Sequence, residues 1–211
     1  FPATVLLTVN LPVAAATALA CAAAIVSGAP APAGAQSSGA WVGPPTTTPK
    51  VRGHDIDFLF GALKAAPDDT SAKAIEDRIW GHWLASGSDT VNLLMVRVKT
   101  AVEKEDLDLA IQMLDAIIEI RPQYAEAWNR RATVFYLKKD YASALADLRQ
   151  TLRREPRHFA ALAGLGTIMQ DIGDEKSALT AFRAALALYP HLKGMAEKVR
   201  SLTEKVEGQP I

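Results

Sequence analysis

An all-α solenoid of stacked antiparallel helical hairpins is the fold class this sequence predicts, and three series of residues carry the prediction. Proline recurs at Pro122, Pro156 and Pro190, alanine at Ala110, Ala144 and Ala178, and aspartate at Asp106, Asp140 and Asp174, each at intervals of 34 residues. Independent markers that share one period and one phase specify a unit copied in tandem. A period in this range belongs to architectures in which each copy buries its apolar face only against its neighbours.

The chain opens on an uncharged leader. Residues 3–26 are almost wholly apolar, and the first charge is Lys50. The alanine-rich core Leu11–Val26 gives way to a Pro/Ala segment, and Ala33-Gly34-Ala35 before Gln36 has the small-x-small form of a signal-peptidase site. Residues 1–35 are therefore expected to be a cleaved signal peptide that lacks its first residues, since no basic start precedes Phe1. Two further readings stay open. A retained membrane anchor is opposed by Asn10 and Pro12, which interrupt the stretch. Lipidation at Cys21 finds only a loose match in Ala18-Leu19-Ala20. Loss of the leader would remove the only cysteine, leaving neither disulfide nor thiol chemistry. Residues 36–54, rich in Pro, Gly, Ser and Thr, are expected to form a disordered linker. Trp41 within it is either incidental or a docking residue.

Residues 55–90 predict a helical hairpin. Ile56, Leu59, Phe60 and Leu63 share one face, and after Pro67-Asp68-Asp69 the residues Ala72, Ile75, Ile79 and Trp83 share another. The segment lacks the unit markers and is expected to serve as a degenerate cap, because a terminal unit otherwise leaves one face without a neighbour.

The units proper are 91–124, 125–158 and 159–192. In the second, Ala125, Trp128, Ala132 and Phe135 form one apolar stripe, and Leu145, Leu148 and Leu152 form another. The aspartates precede each second helix, where a short acid caps free N–H groups. Each proline follows that helix and blocks its continuation. The periodic alanines fall where the two helices approach most closely. Leu94, Trp128 and Leu162 are the large residues opposite, and Val98, Ala132 and Gly166 the small ones at the next contact. In 193–211, Met195, Val199, Leu202 and Val206 predict a closing helix, the ninth, followed by a tail.

The order of large residue, small residue, aromatic, alanine, aromatic or leucine, then proline resembles the tetratricopeptide repeat (TPR). The second unit matches most fully (Trp128, Ala132, Phe135, Ala144, Leu148, Pro156), and the third nearly so. The first departs from it, with Arg97 and Ala101 where leucine and an aromatic are usual. The resemblance covers residues 91–192. It implies a right-handed solenoid of three TPR units plus capping helices, as in exported bacterial TPR proteins. It also implies that ligand contacts come from the first helix of each unit, lining the concave groove. These are Asn92, Met95 and Lys99 in the first unit, and Glu126, Asn129, Thr133 and Tyr136 in the second. The third supplies Thr167, Gln170 and Asp171. Tyr136 is the expected anchor, with packing between adjacent helices as its alternative. Some TPR relatives grip a chaperone's C-terminal carboxylate with basic residues. Met95, Lys99, Arg130, Ala160 and Gly164 hold those places here, so the later basic pair is missing and a clamp of that kind is not expected.

Lys+Arg and Asp+Glu both number 23, without the basic surplus of a general nucleic-acid binder. Arg153-Arg154, beside Glu155, is expected to be a solvated helix end. Among the histidines, His158 and His191 fall at unit junctions and are expected to pack rather than to bind metal. His82, between Trp80 and Trp83, is expected in a hairpin core. Gly164-Leu165-Gly166 lacks the third glycine and the preceding strand of a phosphate loop. No HExxH, GxSxG, CxxC or Walker pattern occurs. The expectation is a non-enzymatic scaffold or adaptor of the bacterial cell envelope, without cofactor or metal, binding a protein or peptide in the groove. The alternative is a membrane-tethered assembly subunit of an envelope-biogenesis complex. The expected location is periplasmic or secreted, and membrane contact is expected only through an uncleaved or lipidated leader.

Overall fold

In the computed structural model, residues 53–208 are described. The leader, most of the linker with Trp41, and residues 209–211 lie outside them. Among the described residues every regular element is a helix: α1 Gly53–Lys64, α2 Asp69–Leu84, α3 Asp89–Glu103, α4 Leu107–Ile120, α5 Ala125–Leu137, α6 Tyr141–Arg154, α7 Phe159–Asp171, α8 Glu175–Leu188 and α9 Met195–Glu207.

The 34-residue beat is visible first in the turns. The side chains of Asp106, Asp140 and Asp174 accept backbone N–H bonds from Leu109, Ser143 and Ser177 at 3.2, 3.1 and 3.0 Å, capping α4, α6 and α8. The same residues also close the preceding helices. Their own N–H groups donate to the carbonyls of Ala101, Phe135 and Met169, five residues back. The residues just before them, Glu105, Lys139 and Gly173, are left-handed with φ of 60°, 61° and 86°. That is a Schellman closure. One aspartate per unit thus ends the first helix and starts the second.

Packing repeats as well. Ala110, Ala144 and Ala178 are fully buried between the helices of their hairpins. Gly166 faces the Phe182 ring so closely that a Cβ there would lie 2.5 Å from Cδ1 and Cε1. Successive units join through the residues third and tenth from each unit start, with 193 as the start after the third unit. Ala127 and Val134 pack into the core with α4, Ala161 and Ile168 with α6, and Met195 and Leu202 with α8. α9 therefore stands where a fourth unit would begin, and it closes that end.

Trp128 departs from the expected buried knob. It is only partly buried, and its indole N–H donates to the Pro122 carbonyl at 3.0 Å. The guanidinium groups of Arg131 and Arg154 lie 4.9 and 4.7 Å from its ring centre. Arg154 also donates to the Pro122 carbonyl at 2.6 Å, so it is a packed residue and not the solvated helix end expected.

The larger correction concerns the first hairpin. α1 and α2 pair, with Asp68 accepting from the Ser71 N–H at 2.7 Å, but they do not cap α3. Their apolar faces join Phe159 and Tyr189 in one core of Leu59, Phe60, Leu63, Ile79 and Trp83. The physical reason is aromatic area. The start of α7 offers the His158 and Phe159 rings to Trp80 and Trp83, with Tyr189 behind Phe159, whereas the outer face of α3 offers none.

Candidate protein-interaction surface

The site begins with where α2 runs. Tyr124, His158 and Leu192 are the last residues of the three units, and all three meet the hairpin. The Tyr124 hydroxyl donates to the Leu84 carbonyl at 3.1 Å. The His158 ring stacks on Trp83, with centres 4.0 Å apart and planes within 6°. Leu192 packs against the shared core. α2 thus crosses the unit ends from the third repeat back toward the first. Farther along, the Tyr189 hydroxyl donates to Glu76 at 3.2 Å, and His191 meets Asp69 at 2.6 Å and the Ala66 carbonyl at 2.9 Å.

His158 is the centre of this contact. Its Nδ1 accepts the Ala161 N–H at 3.1 Å and so caps α7. That leaves Nε2 to carry the proton toward Glu126, 3.2 Å away. Glu126 is itself fully buried. Arg130 donates to it at 2.6 Å and Asn129 at 3.0 Å. Burial opposes its charge, but the His158 bond and the Arg130 guanidinium outweigh that and hold its carboxyl below the usual range. The aromatic cluster expected around His82 is real but recruits His158 instead, because the α2 helix turns Trp80 and Trp83 toward α7.

Two of the expected groove residues are therefore corrected. Glu126 and Asn129 are buried: the Glu126 carboxylate is spent on Asn129, Arg130 and His158, and the Asn129 amide donates to Glu126. The remainder stay at the surface. Asn92 is exposed, although its side-chain oxygen accepts from Ser86 at 2.6 Å. Met95 and Lys99 are half-buried, Lys99 lying 3.6 Å from Glu103. Thr133 and Thr167 bond back to their own helices through the Asn129 and Ala163 carbonyls. Gln170 is exposed. Tyr136 and Asp171 are brought together: the phenol donates to the carboxylate at 2.9 Å, tying α5 to α7. Burial, helped by that carboxylate, pushes the Tyr136 phenol up to about 12.

What remains open is a strip over the C-terminal halves of α5 and α7, extended by α3. It offers an aromatic face, hydroxyls, an amide and a carboxylate, which suit hydrogen bonding to another chain's backbone. Among the described residues no group of three or more His, Cys, Asp and Glu side chains is disposed to hold a metal ion.

A stack of two-helix units with an inner face of first helices defines a helical-repeat interaction module. The tetratricopeptide repeat family matches residues 95–148 and 139–192. A TPR repeat-containing protein of Rhizobium etli is 37% identical over 163 residues, which is 77% of this chain and 78% of the relative. The chain belongs to the TPR family. DnaJ homolog subfamily C member 3 of Bos taurus is 25% identical over 69% of this chain, which spans 29% of that relative's length. Among solved structures, the first TPR of Spaghetti (RPAP3) bound to the HSP90 peptide SRMEEVD has a TM-score of 0.54 at 16% identity, covering 57% of this chain and 95% of that one. The TPR2B domain of yeast Sti1 in complex with an Hsp70 peptide has a TM-score of 0.51 at 20% identity, covering 58% of this chain and all of that one. At such identities the likeness is one of fold. TPR domains as a class are protein–protein interaction modules that bind peptides.

Proposed function

We propose that this protein is a non-enzymatic scaffold of the bacterial cell envelope that holds a peptide or helix on the inner face of α3, α5 and α7. The observation that carries the proposal is the strip of Lys99, Thr133, Tyr136, Thr167 and Gln170. It stays accessible while α2 covers the N-terminal ends of α5 and α7. Its amide, hydroxyls and phenol suit main-chain pairing, and Tyr136 adds apolar area. A carboxylate clamp is not part of the proposal, since Arg130 is committed to Glu126. The apolar segment 3–26 supports the envelope, and the relative in Rhizobium etli supports a bacterial setting.

Affinity capture from an envelope fraction tests this, comparing wild type with a Thr133→Ala, Tyr136→Ala, Gln170→Ala triple variant. Loss of a captured partner with little change in melting temperature is expected. Undiminished capture would place binding elsewhere. Mass spectrometry of the protein expressed behind a start methionine should find cleavage near Ala35. An intact or lipidated N-terminus would favour the tethered assembly subunit.

A further inference from the structure

The displaced hairpin leaves the first unit with a bare joint. Counting by unit, with 193 as the start of the next, the third residue at the other three joints is at most 6% exposed (Ala127, Ala161, Met195), and the tenth at most 3% (Val134, Ile168, Leu202). In α3 the corresponding residues are Leu93, 56% exposed, and Thr100, also exposed; Val96 between them is 62% exposed. Two apolar side chains thus stand open at positions that elsewhere receive the second helix of a preceding unit.

Charge makes the vacancy specific. At the joint between α4 and α5, the seventh and fourteenth residues of the unit are Arg131 and Lys138. Lys138 pairs with Asp108 of α4, and Arg131 pairs with Asp115 of α4 while its other nitrogens hold Asp147 of α6; Asp108 and Asp115 are carboxylates seven residues apart on the incoming helix. The seventh and fourteenth residues of the first unit are Arg97 and Lys104, the same two chemistries. Neither forms an ion pair among the described residues, and both line a shallow depression with Thr100, Leu109, Met113 and Asp106, whose carboxylate is held by the Leu109 N–H. The joint between α6 and α7 has Leu165 and Ile172 at these positions, so the cationic pair is not a requirement of stacking.

We propose that the outer face of α3 is a docking site for an amphipathic helix from a protein partner, one that carries two carboxylates seven residues apart beside an apolar stripe. The partner's apolar stripe lies on Leu93 and Val96, and its carboxylates meet Arg97 and Lys104. The surface is separate from the inner strip and does not depend on it.

The probe is a fluorescent peptide of sequence Leu107–Ile120, stapled through the exposed positions Gln112 and Glu119 so that it is helical before binding. Anisotropy with the full chain should show saturable binding. Arg97→Glu with Lys104→Glu should weaken it about tenfold, as expected for reversing two exposed pairs. A peptide with Asp108→Lys and Asp115→Lys should recover binding to that variant and lose it to wild type. Val96→Asp should abolish binding of both peptides without lowering the melting temperature. Absence of saturable binding overturns the proposal, as does binding unchanged by the charge reversal. A homodimer in sedimentation that Val96→Asp dissociates would also overturn it, because a second copy would then occupy the face.

Discussion

Gly164 and Gly166 lie two residues apart on α7, and alanine at each should move stability in opposite directions. At Gly166 the new Cβ would sit 2.5 Å from Cδ1 and Cε1 of Phe182, and 3.0 Å from Cγ. Phe182 is fully buried, so its ring has no solvent to swing into. Overpacking of this kind costs about 1–3 kcal/mol, and a contact so short belongs in the upper part of that range. Replacing a helical glycine by alanine returns about 1 kcal/mol. The net loss is about 1–2 kcal/mol, or a melting temperature lower by roughly 2–8 °C for a domain of this size. At Gly164 the nearest neighbours are the Leu148 methyls at 3.8 and 3.9 Å, an ordinary contact. Gly164→Ala therefore keeps the propensity gain alone and should melt roughly 2–4 °C higher. Thermal unfolding followed by circular dichroism reads both. If Gly166→Ala is as stable as Gly164→Ala, the close approach of α7 and α8 is misplaced, and the unit register with it.

Other perturbations separate local from global effects. Trp83→Ala removes a ring 7% exposed and stacked on His158, at a cost of about 3–5 kcal/mol for a large buried aromatic. Hydrogen exchange should show α1 and α2 losing protection while α4 to α8 keep theirs. His191 has acceptors at both ring nitrogens, Asp69 first and then the Ala66 carbonyl, so its pKa is raised above the ordinary value and the charged form is favoured. Its contribution is complete below the unfolded value of about 6.5 and is lost as pH rises through the raised folded value. Exchange protection of the hairpin should therefore fall across that interval, and His191→Gln should flatten the dependence. Lys139 occupies a left-handed position that the third repeat gives to Gly173. Lys139→Gly should stabilise by about 0.5–1 kcal/mol, read as a higher midpoint in urea. No gain would mean the Schellman turn is not strained there.

Residues with a duty in every unit were legible from the sequence alone. Asp140 closes one helix and opens the next, and Ala144 must be small, so both recur at 34 residues and announce their roles. The destination of α1 and α2 was not legible, because it depends on the unit-end position, where Tyr124, His158 and Leu192 share a place but no chemistry. A faint signal was present: Phe60, Trp80 and Trp83 pack best against other rings, and the outer positions of α3, Leu93, Val96 and Thr100, carry none. Glu126 and Asn129 were misplaced for a related reason. Their helix position usually faces a ligand, and only the long-range arrival of His158 and Trp83 shows that this chain covers it with its own hairpin. The bare joint on α3 follows from the same displacement and could not be read before it was seen.

The arrangement of that hairpin decides which surfaces remain for partners, and proton–proton contacts from the Trp83 indole report it most directly. In a nuclear Overhauser spectrum of the full chain, cross-peaks from Trp83 to the His158 ring and to Phe159 are expected, with none to Leu93 or Val96. Cross-peaks to Leu93 or Val96 in place of those to His158 would mean that the hairpin caps the first repeat, that the face of α3 is closed, and that Glu126 and Asn129 are free to meet a ligand.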